Sequence, residues 1–425
     1  MSATYHKATE HSYWSVRHPS RGLDWLDWSM QPSPFKIYKE YPLILLDLDN
    51  PTHKFIYYLG GIDAKKSYPG VEYYLRTIPS AGALYPTEIY LQIREVEGFE
   101  DGIYHFDVAH GGVRLLHALA KDEGVELYFH DKRQIKGFLV LYSTIYYRSS
   151  WKYKNRAYRY CLLDAGHALG ALEISAFLYD HAYHIHYDFD ITALNERFGF
   201  GQRESFVSSA IVGVPKSTQA SGLRMRLPFV DGTRSFEPNP VIEAALKDTR
   251  ALHHCRPNFR YPKMPFVKER LDEVVLQRRS IRDFKGYAIQ KAQFEFVLEF
   301  MHQPIPSDCD EEVKIWYVLN NVKDTPQGLY KDGQLIKKGD FRAKAGYLCL
   351  EQALGSQSAV TFFLTGSGQN YRPIMQKAGH IGHRCYIASE YQKIGCSGIG
   401  AFYDQEVQEF LGTKDMVLYA LAIGV

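Results

Sequence analysis

The sequence has no long apolar run. Its longest, near Gly137-Phe138-Leu139-Val140-Leu141-Tyr142, falls far short of the roughly 20 residues that span a bilayer. The opening MSATYHKATEHSYWSV is polar and broken by His and Lys, unlike an export signal, so a soluble, cytoplasmic protein with no membrane partner is expected. Cysteine is sparse. Cys161, Cys255, Cys309, Cys349, Cys385 and Cys396 are scattered, with no C-x-x-C, which points to a reduced compartment. Charge of one sign is also missing. With 50 Lys and Arg against 48 Asp and Glu, the net charge of +2 provides no global field for nucleic acid, a membrane or an acidic substrate. No G-x-G-x-x-G, P-loop, H-E-x-x-H or G-x-S-x-G occurs, so dinucleotide, nucleoside triphosphate, zinc-protease and serine-hydrolase chemistries have no support.

What is present is an ordinary globular composition, 45% apolar and 23% charged, in a chain of 425 residues, longer than one core usually supports. Two domains are expected, and a repeat agrees. Tyr158-Arg159, five residues, then Ala165-Gly166-His167 matches Tyr371-Arg372, five residues, then Ala378-Gly379-His380, at an offset of 213. Helical patterns follow in both copies, and then matching apolar strands, Ala210 to Val214 and Leu421 to Val425. Glu88 to Ile93, Phe138 to Tyr142, Lys314 to Leu319 and Ala359 to Leu364 also read as strands. Helices and strands mix without a strict βαβ rhythm, so the fold class is α+β, a tandem of two like domains. Proline-rich sequence separates them, giving domains at 1–225 and 263–425 with a linker at 226–262.

Two motifs lie in the second half. Arg278-Arg279-Ser280-Ile281-Arg282-Asp283-Phe284 offers guanidinium forks suited to phosphate, although alone it could be a solvated basic turn. Gly395-Cys396-Ser397-Gly398-Ile399-Gly400 permits close backbone approach, although alone it could be a helix C-cap. In this order they resemble the nitroreductase family, whose Arg, Ser and Arg bind the phosphate and ribityl chain of flavin mononucleotide (FMN) and whose Gly-rich segment lies along the flavin. In the first half, Pro79-Ser80-Ala81-Gly82-Ala83-Leu84-Tyr85-Pro86 resembles that family's other flavin loop, in the form of the SagB/ThcOx-type azoline oxidases. The same branch carries a Lys-Tyr pair before a Tyr-Arg-Tyr helix, matched by Lys152-Tyr153 and Tyr158-Arg159-Tyr160.

The resemblance implies a tandem nitroreductase-like fold, an intrachain pseudo-dimer, with one FMN per chain. The second half has the clamp and Gly-rich segment but no Pro-Ser-Ala-Gly loop. The first has the loop but bulky Ala182 to Tyr187 where the glycines should be, and only Ser15-Val16-Arg17 for the clamp. The implied cofactor residues are Arg278, Ser280, Arg282, Pro79, Ser80, Ala81, Gly82 and Gly395 through Gly400, with Lys152 and Tyr153 catalytic and no metal. The implied reaction dehydrogenates a thiazoline or oxazoline of a modified peptide, Lys152 with Tyr153 taking the α proton, in company with a cyclodehydratase complex. A monomer is compatible with a pseudo-dimer inside one chain. An NAD(P)H-dependent nitro or quinone reductase is the alternative, and a catalytically silent scaffold is the alternative of another class. Arg148 to Arg159 could also bind nucleic acid, and His184 and His186 with His181 could ligate a metal, but neither stretch has the surrounding module or spacing. His253-His254-Cys255 reads as incidental, and His167 and His380 as buried structural histidines.

Overall fold

A computed structural model describes residues 2–18, 26–68 and 71–425. The chain forms two compact units that are not collinear with its halves. The N-half unit comprises Trp28–Pro262 with Ile305–Asp310, and the C-half unit comprises Met1–Asp27, Lys263–Pro304 and Glu311–Val425. Residues 226–262, read as a linker, thus group with the N-half unit.

In the N-half unit the strands are β1 (Leu43–Leu45), β2 (Ile62–Tyr68), β3 (Val71–Arg76), β4 (Thr87–Arg94), β5 (Gly102–Asp107), β6 (Gly112–Ala118), β7 (Arg133–Thr144), β8 (His184–His186) and β9 (Ser205–Gln219). Seven form one sheet in the order β1-β6-β5-β4-β7-β9-β8, and β2 and β3 form a separate hairpin. In the C-half unit, β10 (Lys314–Leu319), β11 (Gly328–Lys331), β12 (Gln334–Lys338), β13 (Val360–Gly366), β14 (Gly395–Ile399) and β15 (Met416–Gly424) form a sheet in the order β12-β11-β10-β13-β15-β14. Without β1, the two orders coincide strand for strand. Every pairing between these strands is antiparallel, for example β4 with β7 and β10 with β13. The repeat is therefore a repeat of topology, and the α+β class holds.

Each copy places one long helix between equivalent strands, Ala157–Leu178 after β7 and Tyr371–Tyr391 after β13. Nearly every residue of both helices is buried, polar and charged side chains included. Among the described residues the helical stretch Tyr147–Leu178 is long and apolar enough to cross a bilayer, and most of it is buried inside the fold. A search for unbroken apolar runs passes over it, because Arg, Asp, Ser and Gly interrupt the sequence.

Charge inside the N-half core is paired, as burial demands. Lys36 Nζ lies 2.6 Å from Glu204 Oε2, and Tyr90 and Ser143 donate to Glu204 Oε1 at 2.9 and 2.6 Å. Burial pushes the Lys36 ammonium down, but Glu204, Tyr38 and Glu88 together outweigh it, and the net shift is upward. Cys255 and Cys309, 54 residues apart, are joined by a disulfide. This bond goes against the expectation of a reduced compartment drawn from the scattered cysteines, since only the fold brings these two together. Cys161, Cys349, Cys385 and Cys396 are free and buried.

Candidate functional site

In the C-half unit the helix Lys268–Gln277 ends at Arg278, whose N–H donates to the Val274 carbonyl at 3.0 Å. The chain then runs beside the sheet edge. Ser280 bridges Cys396 in parallel, and the Ile281 N–H donates to the Cys396 carbonyl at 2.9 Å. Residues more than 110 positions apart in sequence, 278–281 and 395–398, thus form one cluster. At its centre is Tyr386, from the helix Tyr371–Tyr391. Its hydroxyl lies 2.9 Å from Ser280 Oγ and accepts the Gly398 N–H at 2.6 Å, and the Arg278 guanidinium stands 5.4 Å over its ring. Burial holds the Tyr386 phenol above its ordinary range. Sequence reasoning missed Tyr386, since one tyrosine among 32 carries no signal until its helix is placed.

Arg278 is buried, whereas Arg282 is exposed. Cys396 faces the helix, its Sγ 3.8 Å from Cys385 Sγ. Ser397 Oγ is buried with no hydrogen-bond partner among the described residues. The Gly-rich segment, which alone could have been a helix C-cap, is the edge strand β14, with Gly400 just beyond it. Its glycines are needed for internal packing. A Cβ on Gly395 would lie 2.5 Å from Ile281 Cγ1 and 3.1 Å from Ile281 Cβ, and one on Gly398 would meet the Tyr419 phenol ring at 2.8 Å. Gly395→Ala should therefore destabilise the protein by about 1–3 kcal/mol through overpacking, and a melting temperature equal to that of the wild type would refute this packing role.

In the N-half unit the loop Pro79 to Pro86 adopts left-handed backbone at Gly82, Ala83 and Tyr85, with φ of 66°, 55° and 46°. Alanine and tyrosine seldom take this conformation unless their surroundings impose it. Here Arg148 donates to the Tyr85 carbonyl at 2.9 Å, and the Arg76 N–H donates to the Tyr85 hydroxyl at 3.2 Å. Arg148 is fixed in turn by Glu88 at 2.5 Å. Burial works against the Glu88 carboxylate, but Arg148 and His105 hold its pKa at about 2.

Lys152 and Tyr153 close the helix Tyr147–Tyr153 and are half-buried. They reach the loop: a Cβ on Gly82 would lie 2.7 Å from the Tyr153 hydroxyl and 3.4 Å from Lys152 Nζ. Lys152 Nζ stands 5.5 Å over both the Trp28 and Tyr153 rings, and Tyr153 packs on Tyr160 at 4.5 Å. Trp28, more than half exposed, was not singled out in the sequence.

The expected residues other than Arg282, which is exposed, and Gly400, beyond the strand end, therefore fall into two clusters, one within each unit. Gly82 of the loop Pro79, Ser80, Ala81 and Gly82 meets Lys152 and Tyr153 in the N-half unit. Arg278 and Ser280 join Gly395 through Gly398 in the C-half unit, with Ile399 in the adjoining core. The C-half residues fit FMN in chemistry. They comprise two guanidinium groups, the hydroxyls of Ser280 and Tyr386, and the buried Ser397 hydroxyl that a ligand would satisfy.

The edge equivalent to β14 in the N-half unit, β8, is already covered. Ile185 bridges Ser307 and accepts the Asp308 N–H at 3.1 Å, and the Asp308 carboxylate accepts the N–H groups of Tyr187 and Asp188 at 2.9 Å. Ser307 thus takes the place beside Ile185 that Ser280 takes beside Cys396. His184 stacks on Phe259, and His186 lies 3.6 Å from Asp308. Burial pushes both imidazoles down to about 4. Among the described residues no three His, Cys, Asp or Glu side chains are grouped to hold a metal.

Residues 275–425 match the family model described as nitroreductase family. A protein of Methanocaldococcus jannaschii that carries the name nitroreductase is 32% identical over 123 residues, 25% of this chain and 60% of that protein. The trifolitoxin-processing protein TfxB of Rhizobium leguminosarum bv. trifolii is 28% identical over 129 residues, 29% of this chain and 35% of that protein. The chain thus spans less than two thirds of the length of either relative. A crystal structure from Anabaena variabilis, also named as a nitroreductase, superposes with a TM-score of 0.79 at 24% identity, covering 100% of this chain and 99% of that one, which shows a shared fold. The family match begins just before Arg278 and takes in all of β14. Residues 275–425 are thus similar to the nitroreductase family, and a nitroreductase-like fold extends over the whole length of the chain.

Proposed function

We propose that the chain is an FMN-dependent oxidoreductase that dehydrogenates a thiazoline or oxazoline in a peptide-derived substrate to the azole. The observation that carries this reading is the Lys152–Tyr153 pair set against the left-handed turn at Gly82. An amine beside a phenol, half-buried among aromatic rings, is suited to take a proton from a carbon acid and pass it on. In this reading Lys152, with Tyr153, removes the proton from the azoline α carbon. FMN, when bound, supplies the two-electron acceptance that completes the dehydrogenation. Arg278, Arg282 and Ser280 hold its phosphate and polyol, while Tyr386 fixes Ser280 and β14.

A binding number of one FMN per chain is supported by the asymmetry of the repeat, since the β8 edge is taken by Ile305–Asp310. A processing role is supported by the likeness to a protein named for processing trifolitoxin. We assign the chain to the cytoplasm, with a cyclodehydratase complex as the partner that delivers substrate, and with no nucleic acid or membrane partner.

Anaerobic reduction of the bound flavin tests the reaction. Bleaching by an azoline peptide and not by NADPH is the expected outcome. Rapid bleaching by NADPH alone would replace this reading with a nitro or quinone reductase.

A further inference from the structure

A carboxyl inside a helix buried on nearly all sides needs a reason, because burial disfavours its charged form. Asp164 lies in such a helix, Ala157–Leu178, and is 4% exposed. Its Oδ2 is 2.5 Å from Ser80 Oγ, and its Oδ1 is 3.4 Å from the Ala81 nitrogen. Ser80 Oγ accepts the Tyr85 N–H at 2.9 Å. One carboxyl thereby secures both ends of the turn that holds Gly82, Ala83 and Tyr85 in left-handed backbone.

The fold does not require a carboxyl at this point. The repeat-equivalent residue in the helix Tyr371–Tyr391 is Lys377, which donates instead to the Glu311 carbonyl at 3.0 Å. The half with Lys377 has no Pro-Ser-Ala-Gly loop, and the half with Asp164 has one. Asp164 therefore goes with the loop and not with the helix. Burial drives its pKa up to about 7, against the pull of Ser80, the Ala81 N–H and Arg76.

We propose that Asp164 is a positioning residue: by holding Ser80 and the Ala81 amide, it keeps the Gly82 turn pressed against Lys152 and Tyr153. The proposal rests on the reading of Lys152 and Tyr153 as the catalytic pair, but its test needs neither FMN nor turnover.

Amide hydrogen exchange over residues 80–86 and acetic anhydride labelling of Lys152, relative to the exposed Lys154, are measured on the full chain. In Asp164→Ala the loop amides should exchange about tenfold faster, the order expected for losing one net hydrogen bond. The Lys152 to Lys154 labelling ratio should rise severalfold as the turn moves away. Asp164→Asn, which keeps the shape and one acceptor, should restore both towards wild type. Ser80→Ala reproduces the loosening should Asp164→Ala not fold. Unchanged loop exchange with an unchanged labelling ratio would overturn the proposal. So would loosening of the whole helix that Asp164→Asn fails to rescue, since that marks a purely structural role. A protein that fails to bind FMN refutes the functional reading alone, and the exchange and labelling results still stand or fall independently.

Discussion

Lys152→Ala should leave flavin content unchanged and reduce turnover by about 10²- to 10⁴-fold, the range for loss of a positioned proton-transfer group. The prediction separates chemistry from binding. Lys152 closes the helix Tyr147–Tyr153 in the N-half unit, whereas the guanidinium groups that fit the FMN phosphate belong to the C-half unit. Its ammonium stands over two aromatic rings, and truncation removes a half-buried side chain from a site that Trp28 and Tyr153 still line. The fold should tolerate that loss. Steady-state kinetics with flavin absorbance recorded on the same sample checks both halves of the statement. Full turnover would reduce Lys152 to a lining residue, and loss of flavin would make it a binding one.

Arg282→Ala should weaken FMN binding by about 10- to 100-fold, the scale of one or two charge-assisted hydrogen bonds. The melting temperature should barely move. Arg282 is exposed, and exposed substitutions usually change stability little. Arg278 is a less clean probe, because it is buried over Tyr386 and its removal disturbs packing as well as charge. A flavin fluorescence titration, paired with thermal denaturation, distinguishes the two effects. An Arg282 variant with wild-type affinity would remove this residue from the clamp.

The repeat was legible in the sequence because it rests on long elements: two helices of 22 and 21 residues, each followed by a short strand and a long apolar one. Strands such as β4 and β13 were legible for the same reason, being runs of β-branched and aromatic residues. β14 was not, since glycine disfavours strands and usually marks turns, and here the strand is secured by Ile281 and Tyr419 packing onto it. The two candidate clusters were legible as motifs, but the residues that support them were not. Asp164 and Tyr386 are single polar residues within buried helices, and only the three-dimensional placement of the helix shows what each one holds. The disulfide escaped for the same reason, its partners being 54 residues apart without a spacing rule.

The proposed division of labour between the repeats is tested most directly by the flavin count. The full chain, incubated with FMN and freed of unbound flavin, is denatured, and the released FMN is counted per chain by absorbance. The account predicts one. Two would mean that the edge closed by Ile305–Asp310 still accepts cofactor, and none would contradict the flavin reading itself.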